Sequence, residues 1–200
     1  MGGLFITFEG VEGAGKTTQI ALLRAALEDA GHSVCVTREP GGDTVAEQIR
    51  RLLLHVDVVP RAELLLFLAA RAQNIDRIIL PHLTSGGIVL CDRFTDSSLA
   101  YQGHARGLGR DTVLQLNTFA ANGVAPDVTF LLDLSPELGL ARQTARNRME
   151  QEDVEFHRLV REGFLIEAEN DPTRFCVLDA TLPPETLHAA ILERIERLMR

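Results

Sequence analysis

Along the chain, short runs of apolar and β-branched residues alternate with longer stretches in which apolar residues recur every three or four positions. The short runs lie at 4–9 (LFITFE), 33–37 (SVCVT), 87–92 (GIVLCD), 127–133 (DVTFLLD) and 174–178 (RFCVL). Their hydrophobicity is nearly continuous rather than alternating, as expected of strands covered on both faces. The longer stretches predict helices. Residues 16–30 carry Ile20, Leu23 and Leu27 at helical spacing and run into Gly31, a residue suited to a helix end. Residues 44–54 follow a Pro-Gly-Gly break, and 61–80 form a long apolar helix that closes before Pro81. Others are expected near 110–121 and 153–170, and at 184–199 with Leu187, Ile191, Ile195 and Leu198 on one face. Strands and helices in this alternation predict an α/β fold, a five-stranded parallel sheet with helices on both faces.

The 200 residues suffice for one domain, 1–200, with a substantial core, and the pattern shows no repeat, low-complexity tract or linker. No apolar run approaches the ~20 residues needed to cross a bilayer. The N-terminus, MGGLFITFEG, lacks the basic flank and cleavage site of a signal peptide and reads as the first strand, so a cytoplasmic protein is expected. Cys35, Cys91 and Cys176 each lie in a short apolar segment, which predicts buried reduced thiols. The net charge of -8 argues against general nucleic-acid affinity. It leaves room for a local anion pocket.

Such a pocket is written into residues 10–17. Gly10 to Thr17 match G-x-x-x-x-G-K-S/T, directly after a strand and opening a helix. In that context successive backbone N–H groups and the helix N-terminus converge on a phosphate chain. Lys16 would bridge terminal phosphate oxygens, and the Thr17 hydroxyl would ligate Mg²⁺. Of the 20 basic residues, Lys16 is the only lysine, and a compact ammonium fits inside the loop where a planar guanidinium does not. The strand at 88–92 ends in Asp92, placed to hold Mg²⁺ through water or to orient Thr17. The fold is therefore a three-layer P-loop fold.

Two classes of P-loop protein are disfavoured. A GTPase reads guanine with an NKxD-type element, but the single lysine is already used. A strand-coupled ATPase sets a catalytic Glu beside the strand-end Asp, whereas here the neighbour is Arg93, a cation suited to a second anion. Phosphoryl transfer between two anions is favoured over hydrolysis.

FEGVEGAGKTT (8–18), TREPGG (37–42), LLLFLAARAQ (64–73), CDRFTDSSLAYQG (91–103), FLLDLSPE (130–137) and RMEQED (148–153) together resemble the bacterial thymidylate kinases, over nearly the whole chain and in the expected order. The resemblance implies a homodimeric kinase that moves the γ-phosphate of ATP to dTMP with Mg²⁺. The ATP site would comprise Gly10, Val11, Glu12, Gly13, Ala14, Gly15, Lys16, Thr17 and Thr18. Asp179-Ala180-Thr181 resembles the loop that lines the adenine.

Phe67, Arg71 and Asn74 share one helical face. By resemblance, Phe67 stacks on thymine and Arg71 contacts its O4; otherwise Phe67 is core and Arg71 a surface charge. Arg38 and Arg93 would meet the acceptor 5′-phosphate, and Pro40 with Gly41-Gly42, which end the second strand, would let the backbone approach the acceptor closely. Ser98 and Gln102 would face the base and Tyr101 the deoxyribose. Asp43 departs from the family, which commonly has Thr after Pro-Gly-Gly. Some relatives carry an Arg inside the phosphate loop. This loop reads Glu12-Gly13-Ala14, so the missing cation is expected from a lid at about 141–153, with Arg148 the first choice and Arg142 nearer the adenine, in a run that also holds Arg146. Lys16, Arg93 and Arg148 would then be the catalytic cations. Glu12 would point to the acceptor side, taking the sugar 3′-hydroxyl or a Mg²⁺-bound water. The apolar stripe Ala46, Ile49 and Leu53 would serve the dimer interface or the core. A kinase for another small acceptor, such as a different nucleotide or shikimate, and a nucleotide-sensing module without turnover are the alternatives.

Overall fold

The computed structural model describes residues 2–142 and 148–200. β1 (Leu4–Glu9) leads into α1 (Lys16–Asp29), and β2 (Val34–Arg38) into α2 (Thr44–His55) and α3 (Pro60–Asn74). A π-helical turn at Ile75–Ile79 carries α3 into α4 (Leu80–Thr84), which precedes β3 (Ile88–Asp92). α5 (Thr95–Ser98) continues as a second π-helical stretch, Leu99–Ala105. α6 (Arg110–Ala121), β4 (Val128–Asp133), α7 (Pro136–Ala141), α8 (Val154–Asn170), β5 (Phe175–Asp179) and α9 (Pro184–Leu198) follow.

The five strands form one parallel sheet in the order β2-β3-β1-β4-β5. In the central β1, Ile6 lies opposite Leu90 of β3 and Val128 of β4. Side chains alternate across this strand. Ile6 and Phe8 pack with Leu23 and Leu27 of α1 and Ile191 and Ile195 of α9. Phe5 points to the opposite layer with Val89, Cys91, Ile75 and Ile79. Each fully buried side chain of this size contributes about 1.5–3 kcal/mol. Layers on both faces hold the strands so that their C-terminal ends, where the functional loops begin, are fixed relative to one another.

The expected elements appear within a residue or so, with three corrections. Pro81 does not close a helix. The helix runs on through it from the π turn at Ile75–Ile79 into α4, and the wider π turn before it accommodates a ring that has no N–H to donate. α7 escaped the pattern because six residues are too few for a helical period to register, and α5 because it runs straight into the π-helical Leu99–Ala105, whose wider turn does not follow the 3.6-residue period. Cys91 is buried as expected, but Cys35 and Cys176 are only half-buried, since β2 and β5 are the sheet edges; all three are free thiols.

The α2 stripe serves the core, with Ala46 and Leu53 fully buried. Asp43 caps α2, its carboxylate accepting the Ala46 N–H at 2.8 Å and the Gln73 amide at 3.0 Å. Among the described residues, no helix is long and apolar enough to cross a membrane.

Candidate active site

Between β1 and α1 the chain wraps into a tight loop. Gly15 takes a left-handed conformation (φ 93°) and hands directly to Lys16, the first residue of α1. With Lys16 buried, its Nζ folds back to the carbonyls of Gly10 (3.2 Å) and Val11 (3.3 Å). Burial, reinforced by Arg93, lowers the Lys16 pKa, while Asp92 and Glu12 pull it back up. The loop is shaped from outside by a residue that sequence reasoning missed. A Cβ on Gly139 of α7 would stand 2.2 Å from the Glu12 carbonyl, and one on Gly13 2.3 Å from that of Gly139. Only glycine at both positions permits this approach.

The loop opens on a cavity of about 420 Å³ at the C-terminal ends of β1, β2 and β3. Its lining includes Glu12, Gly13, Ala14, Gly15, Lys16 and Thr17 from the loop, and Asp92 and Arg93 from the end of β3. Arg38, Pro40, Phe67, Arg71, Ser98, Tyr101 and Gln102 complete the predicted set. The structure therefore brings both halves of the expected site into one space. Gly10, Val11 and Thr18 lie outside that lining. Arg142 stands at the loop, its Nη1 donating to the Gly13 carbonyl at 3.0 Å.

Glu12 and Arg93 form the hinge of the arrangement. Arg93 holds a left-handed backbone (φ 70°), rare for a residue with a side chain, and its guanidinium donates to Glu12 at 2.6 Å and to the Ser97 hydroxyl at 3.2 Å. Burial favours a neutral Arg93, but Glu12, Tyr101 and Asp92 outweigh it, so its pKa is raised. Burial likewise opposes charge on Glu12, yet Arg93 and Lys16 hold its carboxyl below the usual range. The acidic residue within a phosphate-holding loop is thus an ion-pair partner. Tyr101 also reaches it, at 3.4 Å, and Arg93 stacks over the Tyr101 ring at 5.2 Å. Beneath them Glu9 accepts the Phe94 N–H (2.7 Å) and the Ser97 hydroxyl (2.6 Å); burial and the neighbouring Asp96 push its pKa up to about 7.

Arg71 is not a solvated surface charge. With 1% exposure it donates to Glu39 (2.7 Å), Ser98 (3.1 Å), the Phe94 carbonyl (2.9 Å) and Asn117. Asn74 joins it on Glu39 at 3.4 Å, so this face of α3 turns inward while Phe67 remains at the cavity wall. A guanidinium with five N–H groups keeps one on Nη2 beyond these four partners. Arg38 is exposed and paired with Glu47 at 2.9 Å. Arg50, which the sequence did not single out, lines the same wall and donates to the Pro40 carbonyl at 2.9 Å.

Arg148 is expected at the phosphates only when the lid closes, and in this structure it is held elsewhere. Its guanidinium is not at the phosphate loop: it donates to Glu63 (2.7 Å) and to the Leu53 carbonyl (2.9 Å), because the fully buried Glu63 requires cationic partners. Met149 and Glu150, not Arg148, reach the cavity. Arg146 falls outside the described residues.

The donor set fits a hard cation. The Asp92 Oδ1 is buried without a hydrogen-bond partner, and Thr17 lines the same cavity. A hydroxyl and a carboxylate oxygen suit a metal that completes its shell from phosphate and water.

The fold and this cavity define a P-loop kinase acting on a small anionic acceptor. The thymidylate kinase family model matches residues 8–191, and the chain belongs to that family. It is 49% identical to the thymidylate kinase of Geobacter sulfurreducens over 203 residues, covering 96% of this chain and 95% of that one. It is 51% identical to the thymidylate kinase of Deinococcus radiodurans over 194 residues, covering 94% of each. The crystal structure of thymidylate kinase from Ehrlichia chaffeensis superposes with a TM-score of 0.81 at 36% identity, over 98% of this chain and 99% of that one.

Proposed function

We propose that the protein transfers the γ-phosphate of ATP to dTMP, giving ADP and dTDP. The observation that carries this is the single cavity shared by the phosphate loop and a pocket of Phe67, Arg71, Ser98, Tyr101 and Gln102, joined at the Glu12–Arg93 pair. The loop N–H groups and Lys16 hold the donor phosphates. Thr17 and Asp92 would hold Mg²⁺, which would supply charge neutralisation at the donor phosphates. Arg93, Arg38 and Arg50 take the acceptor phosphate. Phe67 stacks on the pyrimidine, and the remaining Nη2–H of Arg71 serves its O4. Ser98 and Gln102 meet the base edge and Tyr101 the deoxyribose. Glu12 orients Arg93 and accepts from the sugar hydroxyl. The acceptor is already an anion, so no strong general base is needed; positioning and charge neutralisation do the chemistry.

We further propose a homodimer. Val45 and Leu52 of α2, Leu65 of α3, and Leu114 and Phe119 of α6 are exposed, Phe119 at 88%, and α3 packs against both α2 and α6. A second copy covering that face would hide them. Residues 1–200 act as one domain in the cytoplasm in this reading, with a lid at about 141–153. The test of the function is product identification: Mg-ATP and dTMP should give equal amounts of ADP and dTDP by mass spectrometry. ADP without dTDP would overturn it.

A further inference from the structure

Glu63 belongs to α3, yet no step above uses it. It has 0% exposure and receives four N–H groups: Gln102 Nε2 at 2.8 Å, Arg106 Nε at 3.4 Å, Arg106 Nη2 at 3.2 Å and Arg148 Nη2 at 2.7 Å. A carboxylate offers about four lone-pair positions and no donor, so these contacts saturate it. The consequence falls on Gln102. A side-chain amide can present either its NH₂ or its oxygen in a given direction, and only the partner decides which. Because Glu63 can only accept, Gln102 must give it the NH₂. The oxygen is left for the cavity that Gln102 lines, and it takes no partner among the described residues.

We infer that Glu63 is a specificity-determining positioning residue: by holding the Gln102 amide in one orientation it presents an acceptor to the pyrimidine N3, selecting bases that carry N3–H. The inference rests on the reading of this cavity as the dTMP site. Thymine and uracil have a donor at N3 flanked by two carbonyls. Cytosine has an acceptor at N3 and an amino donor at position 4. An acceptor from Gln102 beside a donor from Arg71 therefore matches thymine twice and opposes cytosine twice. The two arginines complete the device: Arg106 is held in turn by Glu152 at 2.6 Å and lies 4.4 Å over the Phe156 ring, while Arg148 is tied to the Leu53 carbonyl. Glu63 thus cannot turn away from Gln102 without giving up its contacts to two guanidiniums that are fixed elsewhere.

The test compares kcat/KM for dTMP and dCMP in the wild type, Glu63→Gln, Glu63→Asp, Gln102→Ala and the Glu63→Gln/Gln102→Ala double variant. Glu63→Gln supplies a donor and releases the amide, so the dTMP:dCMP ratio should fall at least about tenfold, mainly through KM for dTMP, with KM for ATP within about threefold of wild type. Glu63→Asp keeps an acceptor and should hold the ratio within about threefold. Gln102→Ala should lose as much selectivity, and the double variant no more than Gln102→Ala alone. A wild-type ratio in Glu63→Gln, or a further loss in the double variant, would overturn the inference. Should Glu63→Gln not fold, a wild-type ratio in Gln102→Ala overturns it equally. If the wild type does not phosphorylate dTMP at all, the proposed function fails first. Turnover of dTMP with unchanged selectivity defeats this inference alone.

Discussion

Replacing Arg148 by Ala separates two accounts of the same residue. In the cavity-facing account, the side chain neutralises transferred phosphate, and its loss should cut kcat by two orders of magnitude or more while stability stays put. In the structure it is an anchor. Its guanidinium makes a charge-assisted bond of 2.7 Å to Glu63 and a second bond of 2.9 Å to the Leu53 carbonyl, and its backbone N–H reaches the Leu54 carbonyl at 3.1 Å. The backbone contact survives in Ala. A charge-assisted bond contributes about 1.5–3 kcal/mol. Full stripping of a buried pair would cost about 3–5 kcal/mol, but Arg106 still reaches Glu63 at 3.2 Å. A loss of about 2 kcal/mol follows, and at about 2–4 °C per kcal/mol for a chain of this size Tm should fall by about 4–8 °C. The kcat at saturating ATP and dTMP should drop less than about tenfold. Calorimetry and steady-state assays on one preparation decide it. A Tm within a degree of wild type together with a collapsed kcat would refute the anchor and return Arg148 to the reacting phosphate.

Phe67→Ala removes the wall on which the base stacks, so KM for dTMP should rise about tenfold to a hundredfold, equivalent to about 1–3 kcal/mol, with KM for ATP nearly fixed; an unchanged dTMP KM would count against base stacking there. Glu9 is an acid whose folded pKa, about 7, lies above its ordinary 4.5, so the stability it contributes is complete below about pH 4.5 and is lost as pH rises through 7. Thermal melts from pH 5 to 8 should therefore slope downward in the wild type and less so in Glu9→Gln, a difference on the order of 3 kcal/mol at the upper end; parallel curves would contradict the assignment. Phe119→Glu places a charge on the exposed apolar face of α6 and should convert a dimer to a monomer in light scattering, and a wild-type protein already monomeric would remove that interface.

What could be read along the chain was local. The phosphate loop was legible because a short run of consecutive peptide units and one lysine supply most of its contacts, and the strands because their apolar runs are short and continuous. The acceptor pocket was legible as a set of residues but not as a set of bonds. Glu39 and Asn117 approach Arg71 from 32 and 46 positions away, and no period in the sequence announces a buried guanidinium so heavily engaged by protein. Glu63 had the same obscurity. An acidic residue at the start of an apolar helix reads as a solvated first-turn charge, whereas the fold seals it at 0% exposure and draws Arg106 and Arg148 to it. That demand for counter-ions engages Arg148 in this structure. Gly139 was missed because it contributes only by being small against Glu12 and Gly13, a steric fact visible once α7 is placed.

Whether donor and acceptor meet in one cavity built for a thymine nucleotide is decided by initial rates of ADP formation from Mg-ATP. The acceptors dTMP, dUMP, dCMP, AMP, GMP and shikimate are supplied separately. Turnover should strongly prefer dTMP, with almost no ADP formed in the absence of an acceptor. A faster rate with a purine monophosphate or shikimate, or ATP bound with no acceptor turned over, would contradict a thymine-specific cavity.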